Sequence, residues 1–171
     1  AHQVRKAAYW SLLAGGLGHV YGHVEIFQFA RAMVGQPDTW GANNSWTESM
    51  DAPGTKQIAL LSDLLRTVPW YRFEPNQTIV ASENPPGPAH IRAAAIADGS
   101  TAWIYFPENQ EATIDLSQLK GSLGARWFSP ATGEIREIGN FMAIGTETFV
   151  PPFAEDALLM FGQPIPENEE D

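Results

Sequence analysis

The sequence predicts a mixed fold in which a helix-strand-helix segment is followed by an antiparallel β-sandwich, and three observations carry that expectation. Apolar residues recur at helical spacing near the N-terminus and again over residues 53–66, with an alternating stretch between them. After Pro75 the pattern changes to eight short apolar runs separated by Gly, Pro, Asn and Asp. The 171 residues are 44% apolar and only 18% charged, which suits one full core and excludes a disordered chain.

The elements follow in order. Val4, Ala8 and Leu12, with Ala7 and Leu13, share one helical face, and Gly15-Gly16 supplies a stop, so residues 3–14 read as a helix. In the next stretch His19, Tyr21, His23 and Glu25 alternate with Val20, Gly22, Val24 and Ile26. Period two is the strand signature and places the polar residues on one face. A helix, a glycine turn and then a strand is the step that builds parallel sheets and barrels. Residues 35–51, rich in Gly, Pro, Asn and Ser, read as a long loop in which Trp40 and Trp46 argue against disorder. A second helix runs over 53–66, with Asp51 or Ser49 as cap, Pro53 in the first turn and Ile58, Leu61, Leu64 and Leu65 as the apolar stripe.

The candidate strands beyond are Ile79–Glu83, Ile91–Ala97, Thr101–Phe106, Ala112–Leu116, Ala125–Ser129, Glu134–Ile138, Glu147–Val150 and Ala157–Gly162. Asp98-Gly99 is a hairpin signal between two of them, and Pro130-Ala131-Thr132-Gly133 is a turn with glycine at its end. Short strands in close succession predict the sandwich. Three units result: 1–74, 75–163 and an acidic tail, 164–171, that holds four of the twenty acids.

Ten Lys and Arg against twenty Asp and Glu give a net charge of −10, which disfavours nucleic acid and anionic membrane surfaces as partners. With no cysteine the chain has neither disulfides nor thiolate metal sites, and no apolar run is long enough for a transmembrane helix. The start at Ala1 is neither an initiator Met nor a signal peptide, so the chain reads as a piece of something longer. Gly15-Gly16-Leu17-Gly18 precedes a strand, the wrong context for a phosphate loop, and no nucleophile elbow occurs. His19 and His23 on a strand would stand about 13 Å apart, too far to share one metal ion, so no metal site and no cofactor are expected. Asn43-Asn44-Ser45 and Asn76-Gln77-Thr78 match the glycosylation triplet, which matters only in a glycosylating host.

Flat rings stack on sugar faces, and paired acids perform glycoside cleavage. Trp40, Trp46 and Tyr21, with Glu25, Glu48 and Asp51, lie in or beside the strand and loop and so suggest a carbohydrate site. The plainer reading makes this an edge strand whose histidines are satisfied by hydrogen bonds, with Glu48 and Asp51 capping or solvated. Trp10, Trp70, Trp103 and Trp127 read as core.

The run from Arg5 through Gly15-Gly16-Leu17-Gly18-His19-Val20-Tyr21-Gly22-His23, then Ile26-Phe27-Gln28-Phe29 and Asp51-Ala52-Pro53-Gly54, resembles the end of the apiosidase-like catalytic domain of bacterial glycoside hydrolases. Ala125-Arg126-Trp127-Phe128-Ser129-Pro130, Thr132-Gly133 and Phe149-Val150-Pro151-Pro152 are similar to that family's small C-terminal domain, which is labelled collagen-binding. The resemblance implies a (β/α)8 barrel followed by a sandwich, with residues 3–14, 17–24 and 53–66 as the seventh helix, eighth strand and eighth helix. A whole barrel takes about 200–250 residues, so the segment here is an incomplete (β/α) barrel. The catalytic carboxylates are expected upstream of Ala1, on a missing N-terminal barrel half of the same protein or on a separate chain. His19, Tyr21 and His23 would line a sugar subsite and Trp40 and Trp46 would wall it, while Glu25 is assigned neither acid nor nucleophile. The implied substrate is a plant oligo- or polysaccharide, in characterised members the apiose branch of pectin, and the implied location is secreted or periplasmic. The sandwich would buttress the barrel, the competing expectation being a non-catalytic carbohydrate- or collagen-binding module.

Overall fold

Strands whose successive residues are all apolar need cover on both faces. The chain supplies it, as seen in a computed structural model that describes residues 1–31 and 41–166. The strands are β1 (Phe73–Pro75), β2 (Arg92–Ile96), β3 (Ala102–Phe106), β4 (Ala112–Asp115), β5 (Ser122–Phe128), β6 (Ile135–Met142), β7 (Thr146–Phe149) and β8 (Ala157–Gly162). Six form one antiparallel sheet in the order β1-β2-β3-β8-β5-β6, and β4 pairs with β7 in a second. The helices are α1 (His2–Leu13), α2 (Val24–Phe27), α3 (Trp46–Ser49) and α4 (Pro53–Leu65).

The pleat sorts the core into two layers. Ala102, Ile104 and Phe106 of β3 join Leu159 and Phe161 of β8 and Trp127 of β5 in the layer that includes Ile114 and Phe149 of the small sheet. Trp103, Tyr105 and Leu158 point the other way, onto Tyr9 and Leu13 of α1 and Leu61 and Leu64 of α4. The antiparallel sandwich is therefore present, with the two longer helices packed on the outer face of its larger sheet. Gly99, at φ +76°, and the Asp98 carboxylate, which accepts from the Ser100 N–H at 2.9 Å, make the expected hairpin turn between β2 and β3. Gly133, at φ +79°, closes the turn before β6.

Four expectations are corrected. Ile79–Glu83 is not a strand, since Gln77–Ile79 forms a 3₁₀ turn and Val80 makes an isolated bridge to Ile114, while Phe73–Pro75 supplies the extra edge strand. Residues 17–24 are not a strand either: they are irregular up to His23, and α2 begins at Val24. A strand exists only against a ladder partner, and every described strand pairs with another described strand, leaving none beside this segment. Ala52 rather than Asp51 or Ser49 is the N-cap of α4, with no side-chain cap; Asp51 instead reaches Lys56 at 3.2 Å. Finally, Ile165 in the expected tail is held by Asn140, which accepts from its N–H at 2.7 Å and donates to its carbonyl at 2.9 Å. Residues 32–40, which include Trp40, and 167–171 lie outside the described residues.

Arg5 of α1 is 1% exposed, a burial that a guanidinium tolerates only when its donors are paired. Its Nε donates to both Asp156 oxygens at 3.1 and 3.0 Å, and its remaining nitrogens reach Gln57 of α4 and Glu155. Asp156 also accepts from the Tyr105 hydroxyl at 2.8 Å, and the Tyr105 ring stacks on Tyr9 with centroids 4.7 Å apart. Burial first, and the Asp156 charge second, hold both phenols well above the ordinary tyrosine range.

Arg5→Ala leaves Asp156 buried without its counter-ion and is expected to cost about 3–5 kcal/mol in urea unfolding, whereas Arg5→Met with Asp156→Leu recovers most of that loss. At Gly124 an added Cβ would lie 2.5 Å from the Gln163 carbonyl oxygen and 2.9 Å from the Ile165 nitrogen. Gly124→Ala is accordingly expected to destabilise by about 1–3 kcal/mol. Gly162→Ala, whose Cβ meets nothing within 4 Å, serves as the control and should leave the unfolding midpoint nearly unchanged.

Candidate functional site

The segment between α1 and α3 owes its shape to a one-turn helix rather than to a strand. His23 is the N-cap of α2, in extended backbone at φ −109°, and Glu25 stands in the first turn. The Ala30 N–H donates to the Glu25 carbonyl and the Trp46 N–H to the Ala30 carbonyl, each at 2.8 Å, which ties α2 to α3. Phe29 turns the chain between them in the left-handed region, φ +51°, with its ring edge-on to Trp46 at 5.9 Å. Ser45 and Glu48 form a reciprocal capping box at the start of α3, so Glu48 caps a helix.

Inside this bracket the Glu25 carboxylate is buried, at 4% exposure for the residue. One oxygen accepts from the Asn43 N–H at 3.2 Å, and the other lies 2.6 Å from Nδ1 of His23. The Asn43 N–H, then the backbone N–H of Glu25 itself and the nearby His23, hold the Glu25 carboxyl below the usual carboxylate range against the opposing effect of burial. Tyr21 sets its ring edge-on to His23 at 6.1 Å and an 85° interplanar angle. Its hydroxyl rests on the first turn of α4, where a Cβ at Gly54 would come within 2.9 Å of it. Only glycine leaves room for the phenol there.

Of the residues singled out from the sequence, Tyr21 and His23 are brought together, and Trp46 meets the ring of Phe29. His19 is half-buried further along the irregular segment, and no carboxylate lies within 4.0 Å of its ring among the described residues. Trp40 falls outside those residues. Trp103 and Trp127 are core, and Trp10 donates to the His90 carbonyl at 3.1 Å. Glu25, which the sequence groups with the candidate carbohydrate site but assigns neither acid nor nucleophile, is the carboxylate beside His23. Its signal was its place two positions after His23 on the same polar alternation. No group of three metal-ligating side chains occurs among the described residues. In the same stretch of chain Leu17 is 93%, Val20 92%, Phe27 80% and Phe29 69% exposed.

Residues 1–72 match the family described as "Apiosidase-like, catalytic domain", and residues 75–160 match "Putative collagen-binding domain of a collagenase". Comparison with curated proteins gave no match. Among solved structures, one described as a glycoside hydrolase aligns at 27% identity and a TM-score of 0.85 over 99% of this chain and 37% of its own. A glycoside hydrolase family 5 structure from Bacteroides vulgatus aligns at 30% identity and 0.85 over 95% of this chain and 36% of its own. The chain thus spans little more than a third of the length of these relatives. The second match covers half of the chain, which therefore belongs to the family described as "Putative collagen-binding domain of a collagenase", and residues 1–72 are similar to the apiosidase-like catalytic domain.

Proposed function

We propose that the chain is the C-terminal portion of an enzyme hydrolysing O-glycosyl bonds in a plant-type polysaccharide, with residues 1–74 completing a (β/α)8 barrel and the sandwich bracing it. The observation that carries this reading is the contrast around His23. The His23–Glu25 pair is formed and enclosed, while Leu17, Val20, Phe27 and Phe29, within thirteen residues, lie open to solvent. Apolar side chains gathered beside a polar site mark a surface made to be covered. Each large apolar side chain gains roughly 1.5–3 kcal/mol on full burial, and the upstream barrel half is the cover that the family relationship supplies.

In that assembly two carboxylates from the upstream half flank the scissile bond, one as general acid and the other as nucleophile or base. His19, Tyr21 and His23 bind sugar hydroxyls, and Trp40 and Trp46 wall the subsite by stacking. Water is the only co-reactant. Enzymes of this substrate class work outside the cytoplasm, in the secreted or periplasmic space of a bacterium. A second reading rests on the match of residues 75–160 to a collagen-binding domain: the sandwich is a non-catalytic module for collagen or glycan. Calorimetric titration with triple-helical peptides and with oligosaccharides separates the two readings, heat of binding to the isolated chain favouring the module.

A longer protein carrying the upstream half is expected to hydrolyse pectic oligosaccharides or aryl-glycosides, while the 171-residue chain alone gives no turnover. Clear hydrolysis by the purified chain overturns the reading. In the longer protein His23→Ala and Tyr21→Phe should each lower kcat/KM about 10- to 100-fold, the loss of one buried hydrogen bond to substrate at about 1–3 kcal/mol.

A further inference from the structure

We infer that Glu25 is a positioning residue for His23, holding the imidazole with its proton on Nδ1 and turning Nε2 toward the site as a hydrogen-bond acceptor for a substrate hydroxyl. The substrate part of this inference rests on the reading above; the state of the ring does not.

The chemistry of the pair allows one arrangement. An ionised carboxylate can only accept. Glu25 is held in that form: Asn43 donates to one oxygen, and its carboxyl lies below the ordinary range. The other oxygen is buried and lies 2.6 Å from Nδ1 of His23, close enough for the two groups to interact electrostatically though not aligned as a hydrogen bond, and neither atom has a hydrogen-bonding partner among the described residues. A buried carboxylate oxygen set against a bare nitrogen lone pair would be repulsive, so Nδ1 carries the hydrogen. In the neutral ring Nε2 is then the lone-pair nitrogen. Nδ1 itself is shut off from solvent, so the 23% exposure of the His23 side chain belongs to the rest of the ring. The Tyr21 ring, edge-on at 6.1 Å, limits its swing.

The local fold is what closes the gap. On an extended strand two residues i and i+2 share a face but stand about 7 Å apart. The onset of α2 directly after His23 folds Glu25 back against the imidazole, and the contact from Asn43 fixes the carboxylate from the far side. A carboxylate behind a histidine is the general means of choosing which ring nitrogen faces a ligand. A sugar hydroxyl, which can donate to Nε2, suits the resulting acceptor, and a ligand offering only acceptors does not.

The test is a long-range ¹H–¹⁵N correlation spectrum of the four histidine rings in the 171-residue chain, recorded where the rings are neutral and assigned with His23→Gln. The expected result is an Nδ1–H pattern for His23 and a mixture for His19, whose ring has no carboxylate within 4.0 Å among the described residues. In Glu25→Gln and Glu25→Ala the His23 signal should move to the His19 mixture while sandwich amide shifts stay in place. An Nε2–H pattern in the unmodified chain, or an Nδ1–H pattern that survives in either variant, overturns the inference. Glu25→Gln preserves the side-chain volume, so it still reports if Glu25→Ala loosens α2. Failure of the longer protein to cleave glycosides would remove the hydroxyl ligand and leave this spectrum unchanged, so the two failures are distinguishable.

Discussion

The buried ion pair between Arg5 and Asp156 sets the position of everything N-terminal to the sandwich. It joins residues 151 positions apart, from the first helix and from the start of the last strand. A buried charge finds compensation only at one place, so α1 has one position on the sheet and no freedom to slide. Gln57 extends the constraint to α4, accepting from Arg5 at 2.7 Å and donating to the Ala131 carbonyl at 3.3 Å in the turn before β6. Tyr105 completes the shell around Asp156, to which its hydroxyl donates at 2.8 Å, and burial raises its pKa above the ordinary tyrosine range. From this fixed helix the chain passes through Gly15-Gly16 into the segment that holds His23 and Glu25.

The two matched families meet in a single core. Tyr9, Leu13, Leu61 and Leu64, from the part that matches the catalytic domain, cover Trp103, Tyr105 and Leu158 from the part that matches the collagen-binding domain. Were the helices removed, the strands β3 and β8 would present large aromatic and aliphatic side chains to water on one whole face. Stripping that cover is as costly as opening any domain interior. The outer face of the larger sheet is thus covered by α1 and α4, while β6 at its edge is largely exposed.

How far the sequence could be read followed the range of the interactions. The apolar runs of β3 and β8, the Asp98-Gly99 turn and the helices at 2–13 and 53–65 depend on neighbours a few residues away, and those elements emerge where the pattern puts them. The alternation of His19, Tyr21, His23 and Glu25 has the same appearance and a different outcome. Period two describes polarity, but a strand also needs a ladder partner, and Gly18 and Gly22 make an irregular path inexpensive for the backbone. Arg5 likewise looked like one polar position on an amphipathic helix, because its partners Gln57, Glu155 and Asp156 are far away in sequence. The place of Glu25 was not legible for that reason too: it depends on Asn43, eighteen residues on, and on a helical turn with too few residues to show a period.

The segment around His23 is complete in its chemistry and incomplete in its packing, and these two facts have different consequences for assembly. The Glu25 carboxylate accepts from the Asn43 N–H within the chain itself, and its other oxygen lies 2.6 Å from Nδ1 of His23. Leu17, Val20, Phe27 and Phe29 are largely exposed, and in the assembly proposed above their burial would drive association with the upstream half. Hydrophobic association is non-directional, whereas a hydrogen-bonded histidine is directional. A site built this way lets burial bring two parts together while the ion pair at Arg5 and the carboxylate at Glu25 decide where its polar groups point. Preorganised groups of that kind lose no reorganisation energy when the bound molecule arrives.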